Sequence, residues 1–213
     1  MKVYVLPAGP IETNAYLLTA PERGEAVLID APDGVWSLVE DRLQQDGVRL
    51  TELWLTHGHW DHMQGGAEVV RQSGATVSAH PADRGLIENP EQMARFLGAS
   101  FHLEPVPVQR WLQDGEQLQA LGQAVEVRHV PGHCPGNVLF SFPTAQVAFV
   151  GDAIFAGSVG RTDLPGGSMA ELAVIGEGSG ITLPPGITPE RAIAFGVAGL
   201  AAWLSLEWRG QLK

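Results

Sequence analysis

The sequence is short of several things, and each shortage excludes something. It has one cysteine, Cys134, among 213 residues. No internal disulfide can form, and a reducing compartment is the expectation. Positive charge is scarce: 13 Lys and Arg face 24 Asp and Glu, for a formal net charge of −11. That balance argues against nucleic acid and anionic membranes as main partners. The opening run Met1-Lys2-Val3-Tyr4-Val5-Leu6-Pro7 contains no long apolar stretch. The expectation is therefore no signal peptide and a cytoplasmic protein. The uncharged run from Ala192 to Leu206 is shorter than the roughly 20 residues a membrane helix needs. Gly196 and Gly199 interrupt it, and Trp203 and Trp208 lie at its end. It reads as a packed helix or a surface for homo-oligomer formation rather than an anchor. Finally, no histidine follows His133.

Apolar residues are 45% of the chain and charged residues 17%, enough for a sizeable core and unlike a disordered chain. The length suits one domain, or one with a small appendage.

Three of the seven histidines fall in Thr56-His57-Gly58-His59-Trp60-Asp61-His62. Imidazole and carboxylate are the side chains that bind zinc and iron, and packing alone has no use for so dense a cluster. In extended backbone His57 and His59 point to one side. Asp61 and His62, being adjacent, are expected to aim in different directions, so that one loop serves two ions. The spacing is not the helical zinc-protease pattern, which needs His at i and i+4 with Glu between. The preceding Glu52-Leu53-Trp54-Leu55 reads as a buried strand. A strand ending in a ligand-rich loop is where an α/β protein keeps its chemistry.

His-x-His-x-Asp-His after an apolar strand resembles the metallo-β-lactamase fold. Further segments strengthen the resemblance. Gly132-His133-Cys134-Pro135-Gly136 resembles that family's third metal-binding segment, and Gly151-Asp152 after Val147-Ala148-Phe149-Val150 its bridging aspartate. Gly157-Ser158-Val159-Gly160-Arg161-Thr162-Asp163-Leu164-Pro165-Gly166 and the opening Glu12-Thr13-Asn14-Ala15-Tyr16-Leu17-Leu18 resemble the short glyoxalase II-like, hydroxyacylglutathione hydrolase-like members. The match runs from Met1 to about Leu172.

The resemblance implies an α/β fold, an αββα four-layer sandwich over residues 1–172, with a divergent C-terminal segment at 173–213. It implies that His57, His59 and His133 hold one ion, that Asp61 and His62 hold a second, and that Asp152 bridges them. The metal would be Zn, with one ion tight and a second weak, or else Fe or Mn. The activity implied is hydrolysis of a small-molecule thioester of the acylglutathione type, such as S-lactoylglutathione, by metal-activated water, with Asp61 also a catalytic residue. The alternatives are a one-iron persulfide dioxygenase using His57, His133 and Asp152, and a weakly active paralogue with an incomplete second site.

Along the chain, Lys2–Leu6, Ala15–Thr19 and Ala26–Ile29 read as strands, separated by proline- and glycine-containing breaks. Asp30 is either a turn former or, as the family implies, a support for the metal loop. Val35, Leu38, Val39 and Leu43 carry the apolar face of a helix that Asp46-Gly47 ends. Strand Leu50–Leu55, helix Ala67–Gln72 and strand Thr76–Ala79 follow. Residues 82–99 read as helix in two pieces around Asn89-Pro90, and 101–110 as a loop bordering the substrate cleft. His80 and His102 are expected to be structural or surface residues, and His129 to brace the His133 loop. Strands are expected at Gln117–Gln119, Ala124–Val130, Val138–Phe142 and Gln146–Val150. Cys134, beside His133, lacks the neighbouring base a nucleophilic thiol needs if His133 binds metal.

The tail departs from the family. Its members end in a Gly-His-Gly-Pro-like segment that supplies one more ligand. Here the nearest counterpart is Gly176-Glu177-Gly178-Ser179, with Glu177 a candidate replacement ligand. Leu183-Pro184-Pro185 and Leu206-Glu207-Trp208 still resemble family members, so the stretch Ala173 to Ala202 reads as a replaced segment, as a shifted reading frame would produce.

Overall fold

A computed structural model describes residues 1–96, 103–155 and 158–169. The chain divides into two units, Met1–Leu112 with Gln119–Gly122, and Gln113–Leu118 with Gln123 onward.

The first unit is built on a six-stranded sheet in the order β1 to β6. Strands β1 (Lys2–Ala8) and β2 (Thr13–Ala20) form a hairpin whose register runs from Lys2↔Thr19 to Ala8↔Thr13. Its connection turns at Gly9 and Glu12, both at positive φ. Strand β3 (Glu25–Ile29) pairs antiparallel with β2. Strands β4 (Arg49–Trp54), β5 (Thr76–Ala79) and β6 (Arg110–Trp111) then continue parallel to β3. β3 is a nearly continuous apolar run, as a strand covered on both faces must be.

Helices make the parallel connections. α1 (Val35–Asp46) stops at Gly47, whose left-handed backbone lets its N–H reach the carbonyls of Leu43 and Gln44. This is the glycine-terminated end expected of Asp46-Gly47. The buried face of α1 is Val35, Val39 and Leu43. Leu38, expected on that face, is instead 39% exposed. The i, i+4, i+8 row meets the sheet, and Leu38 sits one residue off it. α3 (Gly66–Ser73) leads from β4 to β5. α4 (Arg84–Glu88) and α5 (Glu91–Phe96) are the two expected pieces around Asn89-Pro90. Leu17, Leu28, Leu53, Leu55, Met63, Val69, Val77 and Ile87 anchor the core.

The second unit carries a sheet in the order β10-β9-β8-β7, with β7 Gln117–Ala120, β8 Gln123–His129, β9 Val138–Phe142 and β10 Val147–Phe149. β9 is antiparallel to both neighbours. Val125 and Val127 alternate inward on β8, and Phe142 meets Phe149 edge to face at 5.8 Å. A short hairpin follows, β11 (Ile154–Phe155) with β12 (Ser158–Val159). The sequence pattern does not announce it, because two-residue strands have no period. Among the described residues no helix is long and apolar enough to cross a membrane. His102, Glu177 and the divergent tail lie outside the described residues.

Candidate metal centre

The parallel pairing of β3 with β4 places the first group of side chains. Ile29 is in register with Trp54, and Asp30 N–H donates to the Trp54 carbonyl at 2.9 Å. Asp30 and Thr56 therefore leave the carboxyl edge of the sheet side by side, where α/β sheets place their functional groups. Asp30, 1% exposed, takes a left-handed backbone with φ 61°, a conformation Asp tolerates better than most residues. Its Oδ1 accepts from Thr56 N–H at 2.7 Å, and its Oδ2 accepts from Thr56 Oγ1 at 2.7 Å and faces His62 Nδ1 at 2.8 Å. Of the two readings open for Asp30, support of the histidine loop is the one the structure bears out.

Those contacts fix two tautomers. A carboxylate only accepts hydrogen bonds, so His62 Nδ1 is the donor to Asp30. Thr56 has one hydroxyl proton and gives it to Asp30. Its oxygen, 3.0 Å from His57 Nδ1, must then accept from that nitrogen. In both rings Nδ1 carries a proton and Nε2 is the nitrogen left to face a ligand. This is how metal-binding imidazoles are held.

The ligand-rich stretch is not a loop throughout. His59 has a β-region backbone, and Trp60–Met63 then forms one helical turn, α2. This corrects the expectation that Asp61 and His62 aim apart. His62 Nε2 and Asp61 Oδ2 are 3.4 Å apart, and the His62 ring lies 4.1 Å from that of His57. The His57 and His59 rings meet edge to face at 4.7 Å. Backbone closure makes the turn: Ala31 N–H donates to His62 O at 2.7 Å and Gly65 N–H to Ala31 O at 2.8 Å. A Cβ on Gly65 would stand 2.3 Å from Pro32 O, so only glycine lets the chain approach this closely. Thr13, at the start of β2, donates its hydroxyl to Asp61 Oδ2 at 2.8 Å.

In the second unit, His133 lies in the connection from β8 to β9. Val130 N–H closes that loop on the Asn137 carbonyl at 2.8 Å. His129 Nε2 lies 2.7 Å from the Pro135 carbonyl, so His129 braces the loop as expected. Asn137 Nδ2 donates to Val150 O at 3.4 Å, tying the loop to the strand that delivers Asp152. Asp152 sits in a 3-10 turn, Gly151–Ala153, with φ −92° and ψ 17°. His133 Nδ1 is 2.8 Å from the Arg161 carbonyl. A carbonyl can only accept, so Nδ1 of His133 carries a proton, and Nε2 faces Asp152 Oδ2 at 3.6 Å. Cys134 is fully buried, and His80 accepts from Ala82 N–H at the start of a 3-10 turn, a structural role.

The donor set fits a cation. In each unit an imidazole Nε2 faces a carboxylate oxygen, at 3.4 Å for His62 with Asp61 and 3.6 Å for His133 with Asp152. A nitrogen and an oxygen so close share either a proton or a metal ion. A pair of nitrogen and oxygen donors is the chemistry zinc and iron accept. Sequence alone gives no reason to single out Thr13, Thr56 or Gly160. A Cβ on Gly160 would fall 1.9 Å from the Asp152 carbonyl oxygen and 2.9 Å from the His133 ring.

The chain matches the metallo-beta-lactamase superfamily over residues 8–189. Hydroxyacylglutathione hydrolase GloC of Haemophilus influenzae is 32% identical over 175 residues, covering 81% of this chain and 81% of that protein. Among solved structures, TTHA1623 in a di-iron-bound form is 37% identical with a TM-score of 0.69, over 80% of this chain and 82% of that one. The BLEG-1 B3 metallo-beta-lactamase is 31% identical with a TM-score of 0.71, over 80% and 81%.

Proposed function

The chain belongs to the metallo-beta-lactamase superfamily and is a metallo-hydrolase with that family's mixed α/β fold, and on this premise we propose that it hydrolyses a small-molecule thioester of the acylglutathione type. The observation that carries the proposal is the set of fixed tautomers. Asp30 and Thr56 hold His62 and His57, and the Arg161 carbonyl holds His133, each with Nδ1 protonated. Three imidazoles are thereby committed to presenting Nε2, together with the carboxylates Asp61 and Asp152.

His57, His59 and His133 would hold one ion, Asp61 and His62 a second, with Asp152 shared. A bound ion of this kind polarises a carbonyl and lowers the pKa of water from about 15.7 to about 7. The chain's own residues supply the orientation. Thr13 holds one oxygen of Asp61, so that carboxylate cannot swing away from His62. Asp30 accepts directly from His62 and, through the Thr56 hydroxyl, fixes His57. A thioester suits such a site because a thiolate leaves with little help from a general acid, and the described residues around Asp61 offer carboxylates rather than acids. Similarity to GloC, named as a hydroxyacylglutathione hydrolase, supports this substrate class. Similarity to TTHA1623, solved in a di-iron-bound form, keeps iron beside zinc as the metal to look for.

The test is hydrolysis of S-lactoylglutathione by metal-loaded and metal-stripped protein, with oxygen uptake on a persulfide substrate followed in the same preparation. Chelator-sensitive thioester cleavage is expected. Oxygen uptake without thioester cleavage would replace the hydrolase reading with the one-iron dioxygenase.

A further inference from the structure

Asp83 takes no part in the site as described so far. It ends the 3-10 turn Pro81–Asp83, which His80 caps, and it is 1% exposed. Its Oδ2 accepts the main-chain N–H of Gly58 at 2.8 Å. Gly58 is the residue between His57 and His59. A Cβ there would meet Leu86 Cβ at 3.0 Å, Asp83 Cβ at 3.1 Å and Ile87 Cγ1 at 3.2 Å, so the start of α4 lies flush against the His-Gly-His backbone. The Thr56 hydroxyl fixes the His57 ring from one side. The 57–58 peptide is fixed from the other side by the Asp83 carboxylate.

We infer that Asp83 is a positioning residue for His57 and His59, acting through the Gly58 amide. Two imidazoles separated by one residue can share an ion only if the backbone between them keeps its extended shape. A single peptide rotation at Gly58 would turn one ring away, and glycine resists such a rotation least. A hydrogen bond to a charged acceptor is roughly twice as strong as a neutral one, which suits a carboxylate to this task. Burying a carboxylate is costly unless positive charge is near. A cation held by His57 and His59 would bring positive charge close to this carboxylate.

The inference rests on the reading that His57 and His59 hold a metal. Full-length protein is stripped of metal, and Zn(II) affinity is measured by competition with a chromophoric chelator for wild type, Asp83→Ala, Asp83→Asn and Asp83→Glu. Thermal unfolding of the stripped proteins is recorded beside it, with Asp46→Asn as a comparator far from the histidines. Loss of an outer partner of a metal ligand costs about 10–100-fold in affinity, and that loss is expected for Asp83→Ala. Asp83→Asn keeps an oxygen to accept from Gly58 but loses the charge, and should recover part of it. Asp83→Glu displaces the carboxylate by a methylene and should lose affinity measurably, which keeps the test open if Asp83→Ala does not fold. Asp46→Asn should lower the unfolding temperature and leave Zn(II) affinity intact. Wild-type affinity in Asp83→Ala or Asp83→Glu would overturn the inference. So would an affinity loss in Asp46→Asn as large as in Asp83→Ala, since the effect would then be general destabilisation. Absence of Zn(II) binding by wild type would instead overturn the metal reading, and this inference with it.

Discussion

The imidazole of His133 donates from Nδ1 to the main-chain carbonyl of Arg161 at 2.8 Å. The segment 158–163 thus sets the tautomer of a histidine some 28 residues earlier. Its preceding residue, Gly160, lies against both the His133 ring and the Asp152 carbonyl. The Arg161 side chain points elsewhere, to a two-bonded pair with Asp163 at 2.7 Å for each bond.

Gly160→Ala follows from that packing. The added methyl would need to displace backbone at Asp152 or the His133 ring, because neither clearance admits it. Overpacking of this kind costs typically about 1–3 kcal/mol. Urea unfolding should show a loss in that range, and metal affinity should fall with it. A variant with unchanged stability and affinity would show that the segment gives way freely.

Asp30→Ala should be more damaging. It leaves the Thr56 N–H, the Thr56 hydroxyl and His62 Nδ1 without their buried acceptor. Removing one member of a buried charged network costs about 3–5 kcal/mol. The stripped protein should be destabilised on that scale in denaturant titration. Thr56→Val, which removes the hydroxyl's links to His57 and Asp30 but keeps the Thr56 N–H on Asp30, should cost less, on the order of 1–2 kcal/mol.

The acid limb of stability should report on Asp46. The Lys2 ammonium, the Thr19 hydroxyl and the Tyr4 hydroxyl all donate to it, and they hold its carboxyl down at about 2. Its ordinary value is 3.8. A carboxyl depressed in the folded state contributes stability that is present above the unfolded value and lost as pH falls through the folded one. That contribution should be whole above about pH 4 and fade toward pH 2. Asp46→Asn should lower the unfolding temperature at neutral pH and flatten its fall over that window. An identical pH profile in the variant would assign the acid sensitivity elsewhere.

Asp61→Asn should separate catalysis from folding. Thr13 can still donate to the amide oxygen, so the contact at the start of β2 survives, but the negative charge beside His62 is gone. Thioester turnover should drop by at least about 10-fold with little change in unfolding temperature. Wild-type activity should rise with pH through neutrality, as expected where bound water ionises near pH 7. A flat profile insensitive to chelators would contradict metal-assisted hydrolysis.

Much of this was legible in the sequence, for identifiable reasons. β9 carries an apolar run between clear breaks, and the bounds of β5 and β9 match those expected. The end of α1 at Gly47 was written in Asp46-Gly47. The histidines at 57, 59 and 62 stood out by their density, and His133 by the resemblance of its 132–136 segment to a family motif. What was not legible depends on long-range contact. Thr13 and Asp61 are 48 residues apart, and Gly58 and Asp83 are 25 apart, so no local period links them. The helical turn Trp60–Met63 is too short for a period. It exists because Ala31 and Gly65 close it from outside, and that closure brings Asp61 to His62 against the expectation from adjacency. Leu38 was misplaced because an apolar residue next to a helix stripe looks like part of it until the neighbouring sheet is known.

Metal stoichiometry tests the central claim most directly. Purified full-length protein, His57→Ala and the double variant His57→Ala, His133→Ala are titrated with Zn(II), and bound metal is measured by elemental analysis after dialysis. We expect one tight equivalent in wild type and a second, weaker one with which thioester hydrolysis rises. The double variant should lose the tight equivalent. Metal content in the double variant equal to wild type would contradict the assignment of His57 and His133, and with it the proposed site.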